Sequence, residues 1–485
     1  MELTEEQHRV VRSLAGRLAV QAGAGAAKTT TLCEYAAARP GRRILYLAFN
    51  KSIQLEAQER MPPNVTARTT HSVSWRMAAE LFGGRAKDRV GNTYPSSVAR
   101  AFGCGALTAT AALQTIARWC GALEANIGIE HVPAELVARM ADPGAVVSVA
   151  RDVWSAMVQG RMADIRLPHD GYLKLFQMEQ PVLRGFDIIL VDEAQDLNLC
   201  TFDIVCRQRT GVVMVGDESQ AIYSFRSAMN ALAIFEADER LPLTRSFRFG
   251  EGIAAVANAL LSAFKPGFKQ ALVGAGEPKR TRFTVDTKKG FAVIARTNAC
   301  IFEEAVSFLA LNRRFHFVGG TEGYKLEKML DAYYLSCGDR GLMRDPYLKS
   351  FESFEALAGL AEEAEEPELK HLVRVVAAYG HRVPDLVDEI KSRHVEMDKA
   401  AWRRFDGIFL STAHKSKGLE FDQVWLADDY MRFFKDGKEV DPDEVTQEEV
   451  HILYVALTRA RAAIRLPESL EEWLCHRRLM PSQLS

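Results

Sequence analysis

Two short stretches carry residue types that handle phosphate. Residues 21–32 read QAGAGAAKTTTL, with the small residues Ala22, Gly23, Ala24, Gly25, Ala26 and Ala27 running into Lys28, Thr29 and Thr30. An apolar run, Leu18–Val20, precedes them, and an Ala-rich stretch that reads as helix, Cys33–Ala38, follows. Strand, small-residue loop, Lys-Thr and helix together make a phosphate cradle. Loop amides and the positive end of the helix face the anion, Lys28 reaches the outer phosphates, and Thr29 offers its hydroxyl to Mg²⁺. Residues 187–196 read DIILVDEAQD. The apolar run Ile188–Val191 reads as a strand buried on both faces and ends in Asp192 and Glu193, at the edge where α/β sheets bind ligands. Asp192 would hold Mg²⁺, through water or directly, and Glu193 would activate an attacking water.

The elements that must position these groups alternate strand and helix. Thr4 is placed to cap a first helix with Gln7 in its opening turn. Strands are expected at residues 43–49 and 65–69, the second ending in Thr70, His71 and Ser72, and the pattern indicates a doubly wound parallel sheet. From Trp75 to about Gly185 the alternation stops. Residues 106–125 and 133–141 read as helices, with Trp119, Trp154 and Phe176 as core. The sheet resumes at Asp187–Val191 and Val212–Val215. A second α/β unit is expected from near Leu243, with strands at 291–295 and 315–318. A smaller helical insertion between about Lys325 and Arg404 would interrupt it, the glutamates of 362–368 forming a solvated turn or linker. The pattern returns at 407–411 and 423–426, then closes with a helix over 448–461, a strand at 462–466 and a helical tail.

Bulk properties set bounds. The chain has 485 residues, 48% hydrophobic and 26% charged, too long for one core. Its formal net charge of −2 announces no nucleic acid, although a local groove can still bind a strand. The eight cysteines are scattered without a Cys-x-x-Cys, which favours reduced thiols over a metal cluster or disulfide scaffold. With an acidic, polar start and no membrane-length apolar run, a soluble cytoplasmic protein is expected.

Taken in order, the motifs resemble those of superfamily 1 DNA helicases of the UvrD/Rep type. The specific ones are VDEAQD (191–196), GD-x-x-QAIY-x-FR (216–226), H-x-x-KGLEF (414–421) and YVALTRA (454–460). LYLAFNKS (45–52) and NVTARTTHS (64–72) look most like the F-box DNA helicase branch and its bacterial relatives, though no F-box is evident. The resemblance implies two RecA-like domains with ATP between them. The first would comprise 1–75 and 186–242 around a helical insertion, 76–185. The second would comprise 243–324 and 405–470 around a smaller insertion, 325–404, with a tail at 471–485. It implies ATP and Mg²⁺ as cofactors. Gln7 would read the adenine and Phe247 stack on it, Glu420 would contact the sugar, and Gln220 would sense the γ-phosphate or position water. Arg248 and Arg459 would neutralise transition-state charge, an effect of about 10³–10⁵ in rate in related chemistry. Single-stranded DNA would meet Phe49, Thr70, His71, Tyr223 and Phe225 on the first domain and Arg296, Asn298, Thr412 and His414 on the second. Aromatic faces grip any base, and core packing is the competing role for Tyr223 and Phe225. The implied activity is ATP-driven 3′→5′ movement on single strands and 3′-tailed duplex. Ala27 and Ser227 depart from the family's glycines, and the second insertion is short, offering a place for a protein partner. These departures also suit an alternative, a DNA- or nucleotide-responsive NTPase subunit that gates a partner such as an anti-phage nuclease.

Overall fold

The computed structural model describes residues 2–48, 51–133, 142–223, 230–363, 367–398 and 400–480. The expected helix at 133–141 falls almost wholly on residues outside that set, as do Phe49, Phe225 and Ser227. The chain divides into two compact units, residues 1–23 with 27–243, and residues 24–26 with 244–485.

In the first unit, six parallel strands form one sheet: β1 (Arg17–Ala22), β2 (Ile44–Ala48), β3 (Val65–Thr69), β4 (Ile188–Val191), β5 (Gly211–Gly216) and β6 (Glu239–Leu243). Their order is β3-β2-β4-β5-β1-β6. Register places Leu47 beside Val191, Val191 beside Met214, and Gln21 beside Gly216. The carboxyl ends of β2, β4, β5 and β1 therefore lie side by side. Strand β6 was not anticipated. Its sequence, ERLPL, alternates poorly and contains Pro242, which a strand tolerates at a sheet edge, where β6 lies against β1.

Four long helices interrupt this unit between β3 and β4: Thr70–Phe82, Ala106–Gly121, Pro143–Gln159 and His169–Met178. The first begins directly at the end of β3, with Thr69 as its cap, and runs across the boundary expected at residue 75. Trp119 is buried and meets Trp154 edge-on at 4.8 Å. These helices share one apolar core with the sheet, joining Trp119, Val153 and Tyr172 to Leu45, Leu47 and Ile189.

The main sheet of the second unit has five parallel strands, β7 (Phe291–Ala295), β8 (Phe315–Phe317), β9 (Ile408–Thr412), β10 (Phe421–Leu426) and β11 (Ala460–Arg465), in the order β8-β9-β7-β10-β11. Helices Leu326–Cys337, Phe354–Glu363, Pro367–Tyr379 and Val383–Ser392 interrupt it and pack into the same core as β7, β8 and β9. Of the expected acidic turn or linker, Glu362 and Glu363 end helix Phe354–Glu363, Pro367 and Glu368 open helix Pro367–Tyr379, and residues 364–366 lie outside the described residues. The closing helix is shorter than expected, Gln447–Leu457, and β11 begins at Ala460. The guanidinium of Arg459 folds back onto the helix end, Nε donating to Val455 O at 2.9 Å, and so satisfies a terminal carbonyl.

Candidate functional site

At the carboxyl edge of the first sheet the two phosphate-handling stretches meet. Helix Lys28–Ala37 starts at Ala27 with no side chain capping it. Lys28 Nζ lies 3.2 Å from Glu193 Oε1, and Thr29 Oγ1 lies 3.2 Å from Asp192 Oδ2. Burial opposes the charge of Lys28, but Glu193, Asp192 and Asp217 outweigh it and its pKa is raised. Asp192 is pushed up by burial and by Glu193, against the opposing pull of Lys28 and a hydrogen bond from Tyr46. From Glu193 a network continues inward. Gln195 Nε2 donates to Glu193 Oε2 at 2.5 Å, Asp217 N donates to Gln195 Oε1 at 3.0 Å, and Gln220 Nε2 donates to Asp217 Oδ2 at 2.7 Å. Register alone brings β4 and β5 close enough for this chain of contacts.

These groups fit a magnesium–nucleotide. Lys28 and the uncapped helix amides are donors for phosphate, while Thr29 and Asp192 are hard oxygen ligands. No cluster of three or more side-chain metal ligands occurs among the described residues, so Mg²⁺ would complete its shell from phosphate and water. Gln7 is buried and already engaged. It closes a capping box with Thr4, and its Nε2 donates to Thr31 Oγ1 at 3.0 Å, which anchors the first helix to the phosphate-loop helix. Thr30 accepts from Arg60 at 3.3 Å.

Within the second unit, the expected nucleotide and DNA residues occupy opposite edges of the sheet. Arg459 and Glu420 precede β11 and β10, whose first residues pair. Arg248 donates to Glu420 at 3.2 Å and to Thr458 O at 3.1 Å, so it belongs to that amino edge. Arg459 is 1% exposed and also donates to Leu419 O at 3.1 Å. Phe247 is half-buried. At the carboxyl edge lie Arg296, Asn298, Thr412 and His414. Arg296 makes a two-pronged ion pair with Glu449, at 2.7 and 3.0 Å. Asn298 opens helix Asn298–Phe308, Thr412 is buried and His414 half-buried.

On the first unit, Thr70, His71 and Tyr223 line one cavity of about 320 Å³ that Asp192 also lines. His71 Nε2 lies 2.9 Å from Asp170, on helix His169–Met178, so the helical segment positions this residue.

Comparison with known proteins finds matches to these parts. Residues 172–240 match the UvrD/REP helicase N-terminal domain, and residues 350–467 match the UvrD-like helicase C-terminal domain. F-box DNA helicase 1 of Gallus gallus is 31% identical over 98% of this chain and 50% of its own length. F-box DNA helicase protein 1 of Schizosaccharomyces pombe is 30% identical over 96% of this chain and 58% of its own. ATP-dependent DNA helicase PcrA of Leuconostoc citreum is 28% identical over 33% of this chain and 26% of its own. The chain thus carries matches to both the N-terminal and the C-terminal domains of UvrD/REP-type helicases. It spans little more than half the length of the two F-box DNA helicases.

Two features of this chain lead to direct tests. Ala27 has φ 56°, in the left-handed region, which costs a non-glycine residue about 1–2 kcal/mol. Ala27→Gly is therefore expected to stabilise the first unit by about 1 kcal/mol. Urea denaturation reads this, and no gain would show that the loop backbone is relaxed around the methyl. Tyr46 escaped sequence reasoning because it stands inside an apolar strand. Its hydroxyl donates to Asp192 Oδ2 at 2.8 Å, and its own pKa is raised by burial and by that carboxylate. The one signal in the sequence is a hydroxyl-bearing residue inside an otherwise apolar strand, β2; its place beside Leu190 of β4 comes from the fold. Tyr46→Phe is expected to raise the Mg²⁺ concentration for half-maximal ATP hydrolysis by about tenfold, since supporting hydrogen bonds tune metal ligands. An unchanged Mg²⁺ titration would remove Tyr46 from the metal site.

Proposed function

We propose that the chain is an ATP-dependent DNA helicase or translocase that moves 3′→5′ on single-stranded DNA in replication, recombination or repair. The observation that carries this reading is the connected set Lys28, Thr29, Asp192, Glu193, Gln195, Asp217 and Gln220, held at one sheet edge. Bound ATP with Mg²⁺ would supply the phosphoanhydride whose cleavage drives movement. Lys28 would bind the outer phosphates, Thr29 and Asp192 would hold the cation, Glu193 would take the proton of the attacking water, and Gln220 would report occupancy along the network. Arg248 and Arg459 are assigned the transition-state charge. Phe49, Thr70, His71, Tyr223, Phe225, Arg296, Asn298, Thr412 and His414 are assigned to the DNA strand. The names of the relatives support the choice of substrate.

Steady-state ATP hydrolysis with and without single-stranded DNA tests the proposal, followed by strand displacement on duplexes with 3′ or 5′ tails. Stimulation by DNA and displacement from the 3′ tail are expected. Hydrolysis indifferent to DNA would favour a nucleotide-responsive subunit that gates a partner.

A further inference from the structure

We propose that Lys415 is a backbone-phosphate ligand for single-stranded DNA, held in reserve against the ring of Tyr324 until the strand arrives. This rests on the DNA-motor reading above and adds a residue to its binding surface. Lys415 lies in the turn Ala413–Ser416, directly after β9, on the carboxyl edge shared with Arg296 and Asn298. On that edge Arg296 is already paired with Glu449.

The ammonium is placed but not satisfied. Nζ is 3.4 Å from the centroid of Tyr324 and has no hydrogen-bond partner among the described residues. Tyr324 is itself fixed, its hydroxyl 2.9 Å from both Val318 O and Leu410 O. Room for the tip comes from Gly323, where a Cβ would fall 2.4 Å from Nζ. An ammonium carries three donors and no acceptor, so the ring face compensates its charge while leaving its hydrogen bonds unmade. Burial, and then the like charge of Lys325 at the root of helix Leu326–Cys337, lower its pKa to about 8. Other titratable or charged groups on the packed elements are His414 and Lys417 on its own segment, Tyr324, whose hydroxyl is turned toward the two carbonyls, and Glu448, Glu449, His451 and Tyr454 on helix Gln447–Leu457, which packs against the Lys415 turn. A group that gains both charge compensation and hydrogen bonds from an incoming anion suits a phosphodiester. The flexible stem of a lysine lets the tip leave the ring to meet one.

Salt and proton linkage separate this role from a purely structural cation–π contact. The 485-residue chain is titrated with a labelled oligothymidylate across about 50–200 mM salt. Lys415→Met is expected to weaken binding roughly five- to tenfold at low salt and to flatten the log–log salt slope by about 0.7, one single-strand phosphate contact. Lys415→Arg keeps its charge and should keep the slope. Near pH 8 the wild type should take up about half a proton per strand bound, read as buffer-dependent heat, because a half-protonated lysine is drawn fully to its charged form. Both variants should lose that uptake. An unchanged slope in Lys415→Met, with or without lower affinity, would overturn the proposal and leave Lys415 a packing residue. Wild-type chain that fails to bind the oligonucleotide would take down the DNA-motor reading as well, so the two failures are distinguishable.

Discussion

Replacing Glu193 with glutamine is expected to lower the rate of ATP hydrolysis by about 10²–10⁴-fold, the usual contribution of a positioned general base, while nucleotide still binds. Glutamine is isosteric and keeps an acceptor for Lys28, whose Nζ is 3.2 Å from Oε1. It cannot take a proton from water at neutral pH. The change also reaches Gln195, whose Nε2 donates to Glu193 Oε2 while its Oε1 accepts from Asp217 N. If the new side chain turns its amide NH₂ toward Gln195, that residue must flip and give up Asp217, so part of the loss would come from Gln220 at the far end of the network. Single-turnover hydrolysis measures the chemical step, and fluorescent-nucleotide binding measures affinity. Hydrolysis within tenfold of wild type would place the base elsewhere. Lost binding with intact folding would make Glu193 part of the phosphate cradle.

Asp429→Ala is expected to destabilise the second unit by about 3 kcal/mol or more, as each buried donor left unpaired costs about 1–3 kcal/mol. The carboxylate accepts from Arg296 N at 2.8 Å, Thr297 N at 2.8 Å and Thr297 Oγ1 at 3.0 Å. Thr297 Oγ1 also lies 2.9 Å from His371 Nδ1, on helix Pro367–Tyr379. One residue thus ties the carboxyl end of β7 to the loop after β10, and through Thr297 to the helical segment. Burial works against its ionisation, which is why three hydrogen bonds converge on it. Thermal melting of the variant should show a fall of roughly 6–12 °C in the transition that reports this unit. A cost below about 1 kcal/mol would mean that water replaces the lost acceptor.

That the two phosphate-handling stretches meet at one sheet edge was legible in the chain, because both are short local patterns whose physical reason is local. A small-residue loop before Lys28 makes room for phosphate, and an apolar run before Asp192 and Glu193 must end at a sheet edge. Thr4 caps the first helix as its position implied, and Gln7 closes a capping box with it. The alternation of strands and helices likewise announced two parallel sheets, because parallel strands need helical crossovers. Strand β6 did not announce itself. Its charged residues and Pro242 oppose strand formation, and only pairing to β1 overrides them.

Tertiary structure decided which side chains are already engaged. Residues 296 and 449 are far apart in sequence, so nothing local shows that Arg296 pairs with Glu449. Nor does it show that Tyr46 braces Asp192, or that His71 is held by Asp170 from an inserted helix. Ala27 departs from the family's glycines in the sequence, but that its backbone is left-handed is seen only in the structure. Residue types and spacing fix what a site could do, because chemistry belongs to side chains. Register, burial and long-range pairing fix which groups remain available, because charge and hydrogen-bonding capacity are shared among neighbours that only the fold brings together.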